Sequence, residues 1–384
     1  MTSPPHKSAP CPMLSPQRNL ITETNIFQMK KSIEKTLLRM LFLLPLASCD
    51  QGGDNLPEEA ADLADRIPRV ASVSMPTNRI TTRTIITGTE EIPAGGAAGN
   101  ADKLSSIGVY AVRSDGAEYK PTHGSNAVAY QKEATGWLNA SRQDATNLFL
   151  PTAYTVNLYA WHPAGLPTGY VTSGNFYASN IEIRQTDNFS ATQQTDYLYA
   201  AGCRKNETTV AAVKATDNPG LYFKMQHAMA KLVFTVKKDA TNTETLKLQQ
   251  FKLKTSDAKG FRTGEGSNRR MNLTTGAFNN LLPSSELTYT ESTPQEVTPT
   301  GVKVIALVAP VSSLGTVSFE LSMEVGGKDT RLYRTKALSN ATTWAQGKVY
   351  SYTLKIEKMS ADIVGDKEAE VKDWTTEMDE IPIQ

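Results

Sequence analysis

From residue 69 onward the apolar positions recur at every second residue. Tyr350, Tyr352, Leu354 and Ile356 alternate with Ser351, Thr353, Lys355 and Glu357, while Val317, Phe319, Leu321, Met323 and Val325 alternate with Ser318, Glu320, Ser322 and Glu324. Successive side chains of a strand point to opposite faces, so each run predicts a strand with one face in a core and one in water. Leu232, Phe234 and Val236 open another. Across residues 246–253 the phase changes, with Leu246 and Leu248 even and Phe251 and Leu253 odd. A slip of one residue turns the apolar set outward, so a bulge or tight turn is expected near Gln249 and Gln250. Residues 302–308 are apolar at both parities, which predicts a strand in the middle of a sheet. No stretch past residue 69 holds three clean turns of helical period, and the expected class is all-β.

Turn-rich segments punctuate these strands. Residues 91–100 contain Pro93, Gly95, Gly96 and Gly99, residues 256–270 contain Gly260, Gly264 and Gly266, and residues 283–301 are rich in Ser, Thr and Pro. Two tandem sandwiches are expected, over residues 70–220 and 221–384, with the junction around Asp217-Asn218-Pro219-Gly220. No internal repeat of fixed short period is present.

The leading part of the chain follows other rules. Lys30 and Lys31, the apolar residues 40–46 and then Ala47-Ser48-Cys49 have the order of a secretory signal. The apolar run falls well short of the roughly 20 residues that span a bilayer. Leu46-Ala47-Ser48-Cys49 also resembles the lipobox of bacterial lipoproteins, which implies cleavage before Cys49 and acylation there. Residues 1–28 are Pro-rich without apolar period, so Met29 is the expected start, 1–28 a mis-called extension and 29–48 the signal peptide. Residues 49–69 read as a tether and pro-segment, opening on the polar Gln51-Gly52-Gly53-Asp54.

Of the 40 Lys/Arg and 39 Asp/Glu, six and two fall within residues 1–48, leaving 34 against 37 and a net charge of −3. A balance so near neutral gives no electrostatic reason to bind nucleic acid. Cys203 is the one cysteine left besides Cys49, so no disulfide framework is expected and burial with strand pairing must hold the fold.

Catalytic chemistry is poorly marked. His123, His162 and His227 lie in separate segments with no second ligand at metal spacing, and no G-x-S-x-G elbow occurs. Residues 264–270 look superficially like an anion cradle but lack the Lys and helix of a phosphate loop. Cys203 has no marked His partner and is expected to be inert. No catalytic residue, metal or cofactor is expected. Tyr154, Tyr159, Trp161, Tyr170, Phe176 and Tyr177 crowd one region, which suits sugar stacking as well as packing on a pleated face.

Several segments together resemble the fimbrillin family of Bacteroidetes, the type V pilus subunits. They are, in order, residues 104–110 (LSSIGVY), 148–151 (LFLP) leading into 156–163 (VNLYAWHP), 195–200 (TDYLYA), 227–232 (HAMAKL), 307–310 (LVAP), 344–350 (WAQGKVY) and 371–374 (VKDW). The resemblance implies two tandem transthyretin-like β-sandwiches in a fimbrial subunit made as a lipoprotein precursor and held by outer-membrane lipid through a palmitoylated Cys49. It further implies an outer-membrane, cell-surface fimbrium and an Arg-specific protease that removes the first strand. The vacated groove would then take a donor strand from another fimbrial subunit, which is β-augmentation. A host or bacterial surface ligand is a further expected partner.

On this chain residues 70–75 and 80–86, separated by Pro76, are the two candidates for the removable strand. Arg79 and Arg83 are the preferred cut sites, ahead of Arg66 and Arg69. The donor candidate is the tail after Trp374, with Met378, Ile381 and Ile383, although Pro382 cannot donate a ladder bond and Asp379-Glu380 breaks the alternation. The alternative is a surface glycan-binding lipoprotein that does not polymerise.

Overall fold

A computed structural model describes residues 63–74, 104–133, 136–139, 147–184, 189, 194–206, 209–217, 220–264, 268–327, 329–335, 343–356, 362–365 and 370–373. The strands of the first half are β1 (Val70–Ser74), β2 (Ser106–Arg113), β3 (Ala127–Glu133), β4 (Gly136–Asn139), β5 (Val156–His162) and β6 (Thr168–Thr172). They continue as β7 (Asn175–Ser179), β8 (Leu198–Ala200), β9 (Cys203–Arg204), β10 (Leu221–Lys224) and β11 (Gln226–His227). The second half holds β12 (Ala230–Lys238), β13 (Leu246–Thr263), β14 (Arg270–Asn272), β15 (Leu281–Glu296) and β16 (Val302–Val308). Then come β17 (Val317–Val325), β18 (Asp329–Thr335), β19 (Lys348–Ile356), β20 (Asp362–Gly365) and β21 (Glu370–Asp373). The described residues contain no α-helix, and the all-β class holds.

Alternation along the strands decides the layers. In the first half a six-stranded sheet, β11-β8-β5-β2-β3-β4, faces a three-stranded sheet, β1-β10-β9. Ile107, Val109, Leu158 and Leu198 from the larger sheet meet Leu221 and Phe223 from the smaller in one core. The opposite face of β2 and β5 is also dry. Tyr110, Val112 and Trp161 pack there with Phe176 of β7 and with Leu307 and Val349 of the second half. Gly108 lies opposite Trp161 in the β2–β5 ladder, and a Cβ there would stand 2.1 Å from the indole ring, so only glycine admits the tryptophan.

Apart from β14, which joins β7 and β6 in a three-stranded sheet, the second half is one large sheet, β15-β13-β17-β18-β20-β19-β12-β16, with β21 also on β19. It folds over a single core. Phe234 of β12 stacks on Tyr352 of β19 at 5.2 Å and meets Phe251 of β13 at 4.6 Å and Phe319 of β17 at 5.5 Å. Strands far apart in the sheet order therefore touch face to face. The expected bulge is present: both ladders of β13 shift register between Leu248 and Gln250, which keeps Leu246, Leu248, Phe251 and Leu253 all inward.

One strand departs from expectation. Among the described residues β16, expected centrally, ladders with β12 alone and lies at the end of the sheet. Its two apolar faces have separate causes. Val302, Val304, Ala306 and Val308 enter the core of their own half, while Leu307 faces the core shared with the first half.

Candidate functional site

Already at residues 63–69, within the expected tether, the chain is bound to the body. A turn of 3-10 helix over Ala64–Arg66 buries Arg66. The Arg66 Nε donates to the Leu150 carbonyl at 2.9 Å, and the Leu150 N–H donates back to the Arg66 carbonyl at 2.7 Å. Next along, the Tyr130 hydroxyl donates to the Pro68 carbonyl at 2.9 Å. Burial drives the Tyr130 pKa upward, so this phenol remains a donor over the whole ordinary pH range. An exposed Arg69–Asp65 pair at 3.0 Å adds little.

β1 then runs parallel to β10. The Leu221 N–H donates to the Arg69 carbonyl at 2.7 Å and the Met225 N–H to the Ser74 carbonyl at 2.8 Å, bracketing the pairs Val70–Leu221, Ser72–Tyr222, Val73–Phe223 and Ser74–Lys224. The register shifts between Val70 and Ser72, so the buried positions are Val70 and Val73, three apart. Both valines enter the first-half core with Tyr130, Trp137, Leu150, Leu221 and Phe223. Glycine permits this close seat, since a Cβ on Gly220 would stand 2.8 Å from the Cβ of Ala71. β1 also lies beside β4, but among the described residues its ladder is with β10 alone. It is thus an apolar strand in a slot at a sheet edge, drawn from residues 70–74 of the first sequence candidate, while residues 75 and 80–86 lie outside the described residues.

A second edge is closed differently. At β16 the Ile305 N–H donates to the Phe189 carbonyl at 2.8 Å. The Gln194 side-chain amide donates to the Ile305 carbonyl at 2.9 Å and accepts from the Leu307 N–H at 2.6 Å. A residue on a parallel neighbouring strand makes this same pair of bonds, so one carboxamide stands in for a strand. The Phe189 ring is buried in the second-half core.

Candidate chemistry does not assemble. His123 is exposed. Strand pairing sets His162 and His227 on either side of Leu198, an adjacency hidden in the sequence. His162 Nδ1 lies 2.9 Å from the Ser106 carbonyl, and burial lowers its pKa. His227 pairs with Asp196 at 2.9 Å, both side chains sealed from water, and burial brings nearby Lys231 down to about 8 against the pull of Asp196. Among the described residues no group of His, Cys, Asp and Glu could hold a metal. Burial pushes the Cys203 thiol up to about 11, which keeps it protonated. Trp161 and Phe176 are core residues, Arg113 covers Tyr154, Arg270 covers Tyr177 at 3.9 Å, and the Tyr170 hydroxyl donates to the Gly116 carbonyl. These rings are engaged in packing and form no bare stacking platform.

Cys49, Arg79, Arg83, Met378, Ile381 and Ile383 lie outside the described residues. Arg66 and Arg69 precede β1. Sequence reasoning missed Gln194 and Phe189; the one signal was a lone phenylalanine in the polar run 185–196.

A family model described as fimbrillin-like matches residues 96–374. A fimbrial protein from Bacteroides vulgatus ATCC 8482 is similar in fold, with a TM-score of 0.50 and 12% identity, over 80% of this chain and 100% of that one. Proteins from Bacteroides uniformis ATCC 8492 and Bacteroides ovatus ATCC 8483, provisionally assigned to cell adhesion, give TM-scores of 0.48 and 0.49. Each is 19% identical, over 81% of this chain and 100% of its own. No curated protein matches the chain.

Proposed function

The chain belongs to the fimbrillin-like family, and from that premise we propose that it is a subunit of a cell-surface fimbria that polymerises by exchanging β1 for a strand of another subunit. The observation that carries this is the seat of β1. It fills an apolar slot with two valines, ladders with β10 among the described residues, and is separated from β2 by 31 residues of sequence, 75–105. Burying two valines contributes about 1.5–3 kcal/mol each. Each ladder bond adds about 1 kcal/mol. The slot therefore needs an occupant, and a strand of similar shape recovers what β1 provides.

The place of β1 in the sequence supports one order of cut sites. Cleavage at Arg66 or Arg69 leaves β1 attached to the body, whereas cleavage at Arg79 or Arg83 severs it on its downstream side. An Arg-specific protease acting there frees β1 together with everything upstream, Cys49 included. On this reading Cys49 carries lipid at the outer membrane until the cut, the donor comes from the tail with Met378, Ile381 and Ile383, and the subunit itself performs no catalysis. Amino-terminal sequencing of subunits taken from fibres tests the reading. A start at residue 80 or 84 is expected; a start at Cys49 would make the protein an anchor or accessory subunit instead.

A further inference from the structure

We propose that the strand replacing β1 runs in the opposite direction, antiparallel to β10, placing Ile383, Ile381 and Met378 of a second copy where Pro68, Val70 and Val73 now sit. This rests on the exchange reading above and adds the direction and register of the incoming strand.

The slot has an uneven rhythm. Pro68, Val70 and Val73 are buried, Arg69 and Ala71 are exposed, and Ser72 and Ser74 are half-buried. Inward positions are thus spaced by two and then by three, the extra residue falling at the register shift between Val70 and Ser72. The apolar residues of the tail, Met378, Ile381 and Ile383, are spaced by three and then by two. Read backwards, the tail has the rhythm of the slot.

In that reversed register all three apolar residues meet inward positions. Asp379 falls at Ser72 and Glu380 at exposed Ala71, so both charges keep access to water. Pro382 falls at Arg69, where the groove asks for a carbonyl to accept from the Leu221 N–H, and proline supplies one. The best parallel threading, with Met378 at Val70 and Ile381 at Val73, carries Ile383 past Ser74 and leaves the Pro68 place without an apolar side chain. The features that make this tail a poor donor in uniform alternation, its Asp-Glu step and its proline, are accommodated by a bulged slot entered backwards.

Two general facts favour the reversal. Bulges are ordinary in antiparallel pairs and rare in parallel ones. Antiparallel ladders are slightly more stable per residue. Exchange would then run from a bulged parallel pair to a bulged antiparallel one, which gives it a direction.

Disulfide trapping between copies tests the register. One population of full chains carries Lys224→Cys, beside the Ser74 end of the slot, and a second carries either Glu377→Cys or Pro382→Cys. After trimming with an Arg-specific protease the populations are mixed, allowed to polymerise and oxidised. Reversed entry puts Glu377 at Ser74, so Glu377→Cys should cross-link at least ten times more than Pro382→Cys. Preferential linkage through Pro382→Cys would overturn the reversal while leaving strand exchange standing. Polymers with neither linkage would overturn the tail as occupant. Absence of polymers in trimmed protein without any substitution would count against the exchange reading itself, and this proposal would fall with it.

Discussion

Two sheet edges of this molecule are covered in opposite ways. At β10 the cover is a strand: β1 makes a ladder, buries Val70 and Val73, and precedes every other strand in the sequence order of the described residues. At β16 the cover among the described residues is one side chain and one carbonyl, Gln194 and the Phe189 backbone, both between β7 and β8 in mid-chain. An uncovered edge invites pairing with any free strand. On the exchange reading proposed above, the β10 edge is closed by something that can leave and the β16 edge by something held in mid-chain. A subunit meant to join others in one geometry needs that asymmetry, with one edge exchangeable and the other sealed.

Val73→Asp presses hardest on the contrast. A carboxylate at a position 2% exposed forfeits the valine's burial and takes a charge out of water. The expected loss is about 3–4 kcal/mol of stability in the untrimmed chain, read by urea unfolding. The same substitution should leave polymerisation of trimmed chains unchanged, because the altered strand is discarded. Impaired polymers of trimmed protein would show that Val73 belongs to the permanent core.

Gln194→Ala acts on the other edge. It leaves the Ile305 carbonyl and the Leu307 N–H without their carboxamide partner, at a cost of about 2 kcal/mol. It should also let untrimmed chains associate through β16, seen as a rise in light-scattering mass over the unsubstituted chain. Monomeric behaviour at every concentration would mean that the edge is sealed by more than this side chain.

The smallest effect concerns the polar contacts behind that edge. Lys231 pairs with Leu307 in the β12–β16 ladder, and its pKa is lowered from 10.5 to about 8 by burial. Above pH 8 the unfolded chain holds a proton that the folded chain has released, so this group makes stability rise with pH. The clean window is pH 8–9, since the Cys203 thiol, raised from 9.0 to about 11, makes stability fall with pH beyond it. The rise should be at most about 1 kcal/mol over that unit. Lys231→Met should abolish it, as measured by unfolding at pH 8 and pH 9.

How much of this could be read from the sequence follows from what a period of two encodes. It gives the inward face of a strand, so Val317, Phe319, Leu321, Met323 and Val325 are all buried as expected, and the phase change at 248–251 marks a real bulge. It does not give a strand's neighbours. Residues 302–308 are apolar on both faces because two cores meet at β16, and the same pattern would arise in a central strand. Residues 70–75 were legible as an apolar-leaning stretch, but their partner lies some 150 residues on and pairs in parallel. Gln194 was invisible because a glutamine that caps an edge looks like any other in a polar run. The adjacency of His162 and His227 through Leu198 depended on the same unread pairing.

The exchange of β1 is tested most directly by hydrogen exchange at the amides of Leu221 and Met225, which donate to the β1 segment, in three samples: untrimmed subunit, freshly trimmed monomer and assembled polymer. Protection should be high in the first, fall at least a hundredfold in the second and return in the third, with residues 70–74 missing from the polymer by mass. Protection that never falls on trimming, or polymers that still contain residues 70–74, would contradict the account.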